Sequence, residues 1–260
     1  MSYFIQERDW GLGNFVMATP MMQLQSKRIG KPVPTFFTND QLATLYRDAD
    51  FIKVLKKRPA GPASYGSSRH PKARRGEETD SEAYCRIQLG HKGPIPSTYV
   101  DRPDASEYDF EIQEDKKYIA VFHGCLGTVL KKRKDIGASN RQMMIDEIVR
   151  HGMVPVLLGS KGDVNNFWKA NDTSKCIVLA GKLNLRKSVS VLARCDAFVS
   201  NDTGLYHVAG ALRVRGMVFW HKTDMIKNRS TFKEIQHIQT RNLNDGLYKS
   251  RLIPFLESIK

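Results

Sequence analysis

The sequence predicts an α/β protein made of two successive parallel-sheet units. Three observations carry this. Short apolar β-prone runs alternate with helical patterns along most of the chain. The first unit reads βαβαβ, for which right-handed crossovers and a parallel sheet are expected. The second reads as five strands with four intervening helices, from Tyr118 to Trp220. With 260 residues, 41% of them hydrophobic, the chain is long enough for one large α/β domain or two small ones.

In order, Tyr3 to Gln6 is a strand, followed by a turn in which Gly11 and Gly13 permit close approach of a ligand or a second backbone. Asn14 to Gln25 is helical, with Pro20 either kinking the helix or opening its main body after a Thr19 cap. Val33 to Phe37 is a strand, Asp40 caps a helix through Tyr46, and Phe51 to Leu55 is a third strand. Residues 56–75 carry seven Lys and Arg residues and no acidic one, among Pro, Gly and Ser. Arg69, Lys72, Arg74 and Arg75 lie there. Such a loop suits a phosphate backbone, or is a flexible surface insertion. Ala83 to Leu89 reads as a strand, and Asp101 to Asp115 as an acidic linker.

The second unit opens with the strand Tyr118 to Phe122. Ser139 and Gln142 have capping-box spacing ahead of Met144, Ile145, Ile148 and Val149. Val154 to Leu158 is a strand, Asn165 to Ala170 helical, Cys176 to Leu179 a strand, and Leu185 to Arg194 a helix. Ala197 to Val199 and Met217 to Trp220 are buried strands flanking a helix that Asp202 is expected to cap. Leu205, Val208, Ala209 and Leu212 form its buried face. Thr203 and His207 fall on the opposite side, one turn apart. A helix N-terminus at a strand's carboxyl end is a common phosphate site, so Thr203, Gly204 and His207 are candidates to surround a diphosphate. Taken alone, His207 also reads as a solvated surface histidine. Beyond Phe219 the pattern fades until a terminal helix from Leu247 to Ile259. The units divide as 1–115, 116–244 and the terminal helix 245–260.

No apolar run approaches the roughly 20 residues of a membrane span. The four cysteines lie far apart without ligand spacing, so neither a disulfide framework nor a zinc site is expected, and a cytoplasmic setting is. The net charge of +14, from 41 basic and 27 acidic residues, points to a polyanionic or phosphorylated partner.

The stretch LAGKLNLRKSVSVLARCDAFVSNDTGLYHVAGAL resembles the C-terminal signature of glycosyltransferase family 9, the heptosyltransferase family, with DTG-x-x-H at Asp202, Thr203, Gly204 and His207. GLGNFVMATPMMQL and VPVLLGSKGD are similar to its N-terminal and middle segments. The resemblance implies a GT-B architecture: two Rossmann-like domains with parallel sheets facing across a cleft, the second holding a nucleotide sugar and the first the acceptor. It further implies inverting transfer without a metal or other cofactor. Asp202, Thr203, Gly204 and His207, with Lys132, Lys134 and Lys131 as cations, would then bind the donor diphosphate. Gly11, Gly13, Arg69, Lys72, Arg74 and Arg75 would lie on the acceptor side.

Two departures stand out. Asn14 occupies the place of the family's catalytic Asp, and an amide is no general base, so Asp9 is the substitute. Trp220 follows Phe219 where the family tends to have glycine, either to stack on a base or to pack. On charge, compactness and the basic loop, the favoured acceptor is a hydroxymethylated pyrimidine in DNA, as in viral DNA modification. The alternatives are lipopolysaccharide core sugars, or an inactive sugar-nucleotide or nucleic-acid binding protein.

Overall fold

A computed structural model describes residues 3–6, 11–60, 77–108, 110–124, 134–240 and 245–259. Its first sheet holds β1 (Phe4–Gln6), β2 (Val33–Phe37) and β3 (Ile52–Leu55), parallel and in that order. Between β1 and β2 runs α1 (Leu12–Ile29), longer than the Asn14 to Gln25 expected. Pro20 stays inside it. Proline has no N–H to offer the Val16 carbonyl one turn back, and Thr19 Oγ1 donates to that carbonyl instead, at 2.7 Å. Thr19 therefore caps no helix; its hydroxyl also accepts from the backbone N–H of Tyr99 at 2.9 Å.

The second sheet has six parallel strands in the order β6-β5-β4-β7-β8-β9. They are β4 (Tyr118–Phe122), β5 (Val154–Leu158), β6 (Ile177–Val178), β7 (Ala197–Asn201), β8 (Gly216–Trp220) and β9 (Ile235–Gln239). The chain starts in the middle, runs outward to β6, and returns to pair β7 with β4. That reversal is the topological switch point at which α/β sheets bind ligands. Alternate residues face two apolar layers. Ile119, Val121, Val199, Met217 and Phe219 pack towards α4 (Ala138–Arg150) and α9 (Asp245–Glu257). Tyr118, Ala120, Phe122, Phe198 and Trp220 share a core with α6 (Leu185–Leu192), α7 (Gly204–Ala211) and α1. One apolar layer thus belongs to both units, as expected for a sheet buried on each face.

Several local expectations are corrected. Ala83 to Leu89 is helical, as part of α3 (Asp80–Leu89), because a capping box closes its start: Thr79 accepts from Glu82 N while Glu82 accepts from Thr79 N. Ser139 and Gln142 do not cap α4. Gly137 holds the cap position, and the Gln142 side chain accepts from Asp172 N at 2.8 Å. Asn39, not Asp40, caps α2 (Asp40–Ala43) by accepting from Gln41 N. The segment expected at Asn165 to Ala170 begins earlier, as α5 (Lys161–Asn166), because Ser160 and Asp163 form a second capping box; a 3₁₀ turn Trp168–Ala170 follows. The pattern does not fade after Phe219. The short α8 (Met225–Asn228) and the edge strand β9 complete the sheet.

Polar contacts join the two units away from the switch point. Arg186 of α6 makes 2.7 and 2.6 Å bonds to Glu107, donates to the Thr44 carbonyl, and lies 3.7 Å from the buried Asp101 carboxylate. Leu185 N donates to Gln41 Oε1 at 3.2 Å, and Lys227 of α8 lies 3.6 Å from Asp80 at the start of α3.

Candidate functional site

The carboxyl ends of β1 and β7 each feed a helix, and the two helix starts meet. A Cβ on Gly13 would lie 2.5 Å from His207 Cδ2; one on Gly204 would lie 2.9 Å from Leu12 Cβ and 3.3 Å from Gly13 N. Contacts that short require residues without a Cβ on both sides, so α1 and α7 abut through glycines. The close approach expected of Gly13 is thus made to the other unit's helix. Gly11 is exposed with nothing near its Cβ position. Asn14 sits on the first turn of α1, half-buried.

This junction revises the reading of α7. His207 is 6% exposed rather than on a solvated face, because α1 covers the side of α7 turned away from its own sheet. Tyr206 is buried and Leu205 only half-buried. Burial, with the Lys134 ammonium nearby and a smaller contribution from His237 when that ring is protonated, pulls His207 down to about 3, so it is a neutral imidazole at physiological pH. Trp220 is fully buried, donating to His237 Nδ1 at 3.1 Å and meeting Tyr206 edge-on, so it packs and offers no stacking face.

Asp202 does not cap α7. Thr203 holds the cap position without a side-chain bond, and Asp202 pairs with Lys134, Nζ to Oδ2 at 2.9 Å. The Thr203 hydroxyl is buried and has no hydrogen-bond partner among the described residues. A buried hydroxyl left so costs about 1–3 kcal/mol, which a ligand oxygen would relieve. The site therefore brings together the N–H groups opening α7, the Thr203 hydroxyl and the Lys134 ammonium at the end of β7. That donor set matches an anion.

Of the other expected residues, Asp9, Lys131, Lys132, Arg69, Lys72, Arg74 and Arg75 lie outside the described residues. On the first unit, a cleft of about 480 Å³ opens at the carboxyl ends of β2 and β3, with Phe36, Val54 and Leu55 as apolar walls and Thr38, Asp40 and Lys56 as polar ones. It lies on the same edge of that sheet as the Gly11–Gly13 turn.

Sequence reasoning missed a polar cluster beside Lys134. His123, the residue after β4, is buried with Nε2 3.2 Å from Asp135 Oδ1; Arg141 Nη1 is 2.6 Å from the same oxygen. Asn201 Nδ2 donates to the Lys134 carbonyl at 3.0 Å. The available signals were a histidine ending an apolar strand and an aspartate directly after Lys134.

Comparison with known proteins bears on the family and the fold. Residues 83–250 match the family model for glycosyltransferase family 9 (heptosyltransferase). The chain is 51% identical over 37 residues to lipooligosaccharide heptosyltransferase 2 of Haemophilus influenzae, covering 14% of this chain and 11% of that protein. It is 30% identical over 110 residues to lipopolysaccharide heptosyltransferase 2 of Salmonella typhimurium, covering 40% and 31%. The matched stretches thus span less than a third of these relatives' length. Among solved structures, the Escherichia coli ADP-heptose LPS heptosyltransferase II superposes with a TM-score of 0.76 at 15% identity, covering 100% of this chain and 98% of that one. A family 9 glycosyl transferase from Veillonella parvula gives 0.74 at 14% identity, covering 99% and 97%. The parallel sheets meeting at their carboxyl edges are those of the GT-B fold. The chain belongs to glycosyltransferase family 9.

Proposed function

We propose that the protein transfers a glycosyl group from a nucleoside-diphosphate sugar to a hydroxyl of an anionic acceptor, inverting the anomeric centre without a metal. The observation that carries this is the Thr203 hydroxyl at the start of α7, without a partner among the described residues, with the Lys134 ammonium held on the adjacent Asp202. As the acceptor oxygen attacks the anomeric carbon, the bond to the diphosphate breaks and negative charge gathers on the departing oxygen. The α7 N–H groups, Thr203 and Lys134 stabilise it with fixed donors and a fixed charge. His207, neutral and wedged against Gly13, offers an N–H without adding charge. The attacking hydroxyl must lose its proton to a base; Asp9 takes this role in the proposed reaction, since Asn14 has no proton-accepting carboxylate.

For the acceptor, the names of the relatives support a lipopolysaccharide-type core sugar, with the cleft by Phe36 and Lys56 as its approach. This replaces hydroxymethylated DNA as the favoured reading, which rested on the +14 charge, the compact chain and the basic loop 56–75, most of which lies outside the described residues. The test incubates the protein with ADP- and UDP-linked sugars and either core oligosaccharide or hydroxymethylated duplex DNA, followed by mass spectrometry. A glycosyl mass gained by the oligosaccharide is expected. A gain only on DNA reverses the acceptor assignment. No transfer and no donor hydrolysis with any donor overturns the enzymatic reading.

A further inference from the structure

Asp135 directly follows Lys134, and its Oδ1 accepts three hydrogen bonds: from His123 Nε2 at 3.2 Å, Gly137 N at 2.9 Å and Arg141 Nη1 at 2.6 Å. His123 is 3% exposed and Arg141 4%. Burial pushes the Asp135 carboxyl up, but these bonds and the neighbouring Arg141 guanidinium outweigh it and hold it well below the usual carboxylate range. Burial likewise keeps His123 neutral, so its one N–H goes to Asp135.

On the other side, Asn201 at the end of β7 donates to the Lys134 carbonyl at 3.0 Å, and Gly124 N donates to Asn201 Oδ1 at 3.4 Å. The Lys134 backbone is therefore pinned from β4, β7 and the first turn of α4, while its ammonium meets Asp202. A lysine side chain loses rotamer freedom when fixed, and a pinned backbone removes the further cost of ordering the main chain during turnover.

We propose that Asp135, together with Asn201, is a positioning residue for the transfer reaction: it holds Lys134 on Asp202 so that the ammonium is aligned for the departing diphosphate. This rests on the donor-site reading above. The competing account is that Asp135 only neutralises the buried Arg141.

Two measurements separate them. In the first, the folded protein is labelled with limiting acetic anhydride, and acetylation of Lys134 is read by mass spectrometry against the more exposed Lys249 in the same molecule. Asp135→Asn and, separately, Asn201→Ser should each raise relative labelling of Lys134 by about threefold or more, within the range of coupling between contacting groups. An unchanged ratio in both folded variants overturns the proposal.

The second is a double-mutant cycle on ADP and UDP affinity by calorimetry. Asp135→Asn should weaken binding about fivefold in the native background and not at all in Lys134→Met. Losses that multiply would show that Asp135 does not act through Lys134. If Lys134→Met leaves both nucleotides bound as before, or if the native chain binds neither, the donor-site reading fails. The labelling ratio still decides whether Asp135 holds Lys134.

Discussion

Gly13 and His207 lie in van der Waals contact across the junction of the two units, so tightly that a methyl group on Gly13 would sit 2.5 Å from the His207 ring. The junction joins the starts of α1 and α7. Any change there alters both the fit of the units and the site between them.

Gly13→Ala should therefore destabilise the fold by about 1–3 kcal/mol, the usual cost of overpacking, and lower turnover with it. His207→Ala in the same chain should restore part of the stability, since it removes the atoms that the new methyl meets. Urea unfolding of the four variants of the cycle checks this; equal costs of Gly13→Ala with and without His207 would rule the contact out as the cause.

The His207 ionisation makes a separate prediction. Its folded-state value is about 3, below the unfolded value of about 6.5, so the unfolded chain binds a proton between those limits and the folded one does not. The sign follows: stability from this group is present above about pH 6.5 and is lost as pH falls towards 3, by up to about 1.4 kcal/mol per pH unit. Asp80, raised to about 6 chiefly by burial, acts in the opposite direction and is common to both chains compared. Between about pH 5 and 6, stability of the native chain should fall more steeply with acid than that of His207→Gln. Parallel curves from denaturant titrations would contradict the burial of a neutral His207.

Arg186 links the units on their other flank. Arg186→Ala leaves the buried Asp101 and the Glu107 carboxylate without their cation, and should cost about 3 kcal/mol, as breaking partly buried ion pairs does. Thermal unfolding is the check. A cost near zero would mean that solvent replaces the guanidinium freely. Arg186→Lys should recover only part of the loss, because an ammonium cannot make the paired bonds to Glu107 and also reach the Thr44 carbonyl.

The DTG-x-x-H turn was legible in the sequence because its parts are local: an apolar strand, a glycine-bearing turn and an amphipathic helix within about a dozen residues. The burial of His207 was not, because a helical wheel assumes one covered face and α7 is covered by its own sheet and by α1. β9 was hidden for a related reason. Its sequence IQHIQ lies at a sheet edge, half-buried, with no continuous apolar run to mark it. In α3 the capping residues Thr79 and Glu82 carried the helix signal, while AYCRIQL by itself looked strand-like. The Asp135 cluster draws on residues 123, 135, 137 and 141, whose convergence depends on where β4 ends and α4 begins.

Lys134→Met tests the central claim most directly, read as ADP and UDP affinity by calorimetry alongside Thr203→Ala. If the start of α7 holds a diphosphate, each substitution should weaken binding of the nucleotide that the native chain takes by about 1.5–3 kcal/mol, roughly 10- to 150-fold, while the folded structure persists. Unchanged affinity in both variants would contradict the account and place the donor elsewhere.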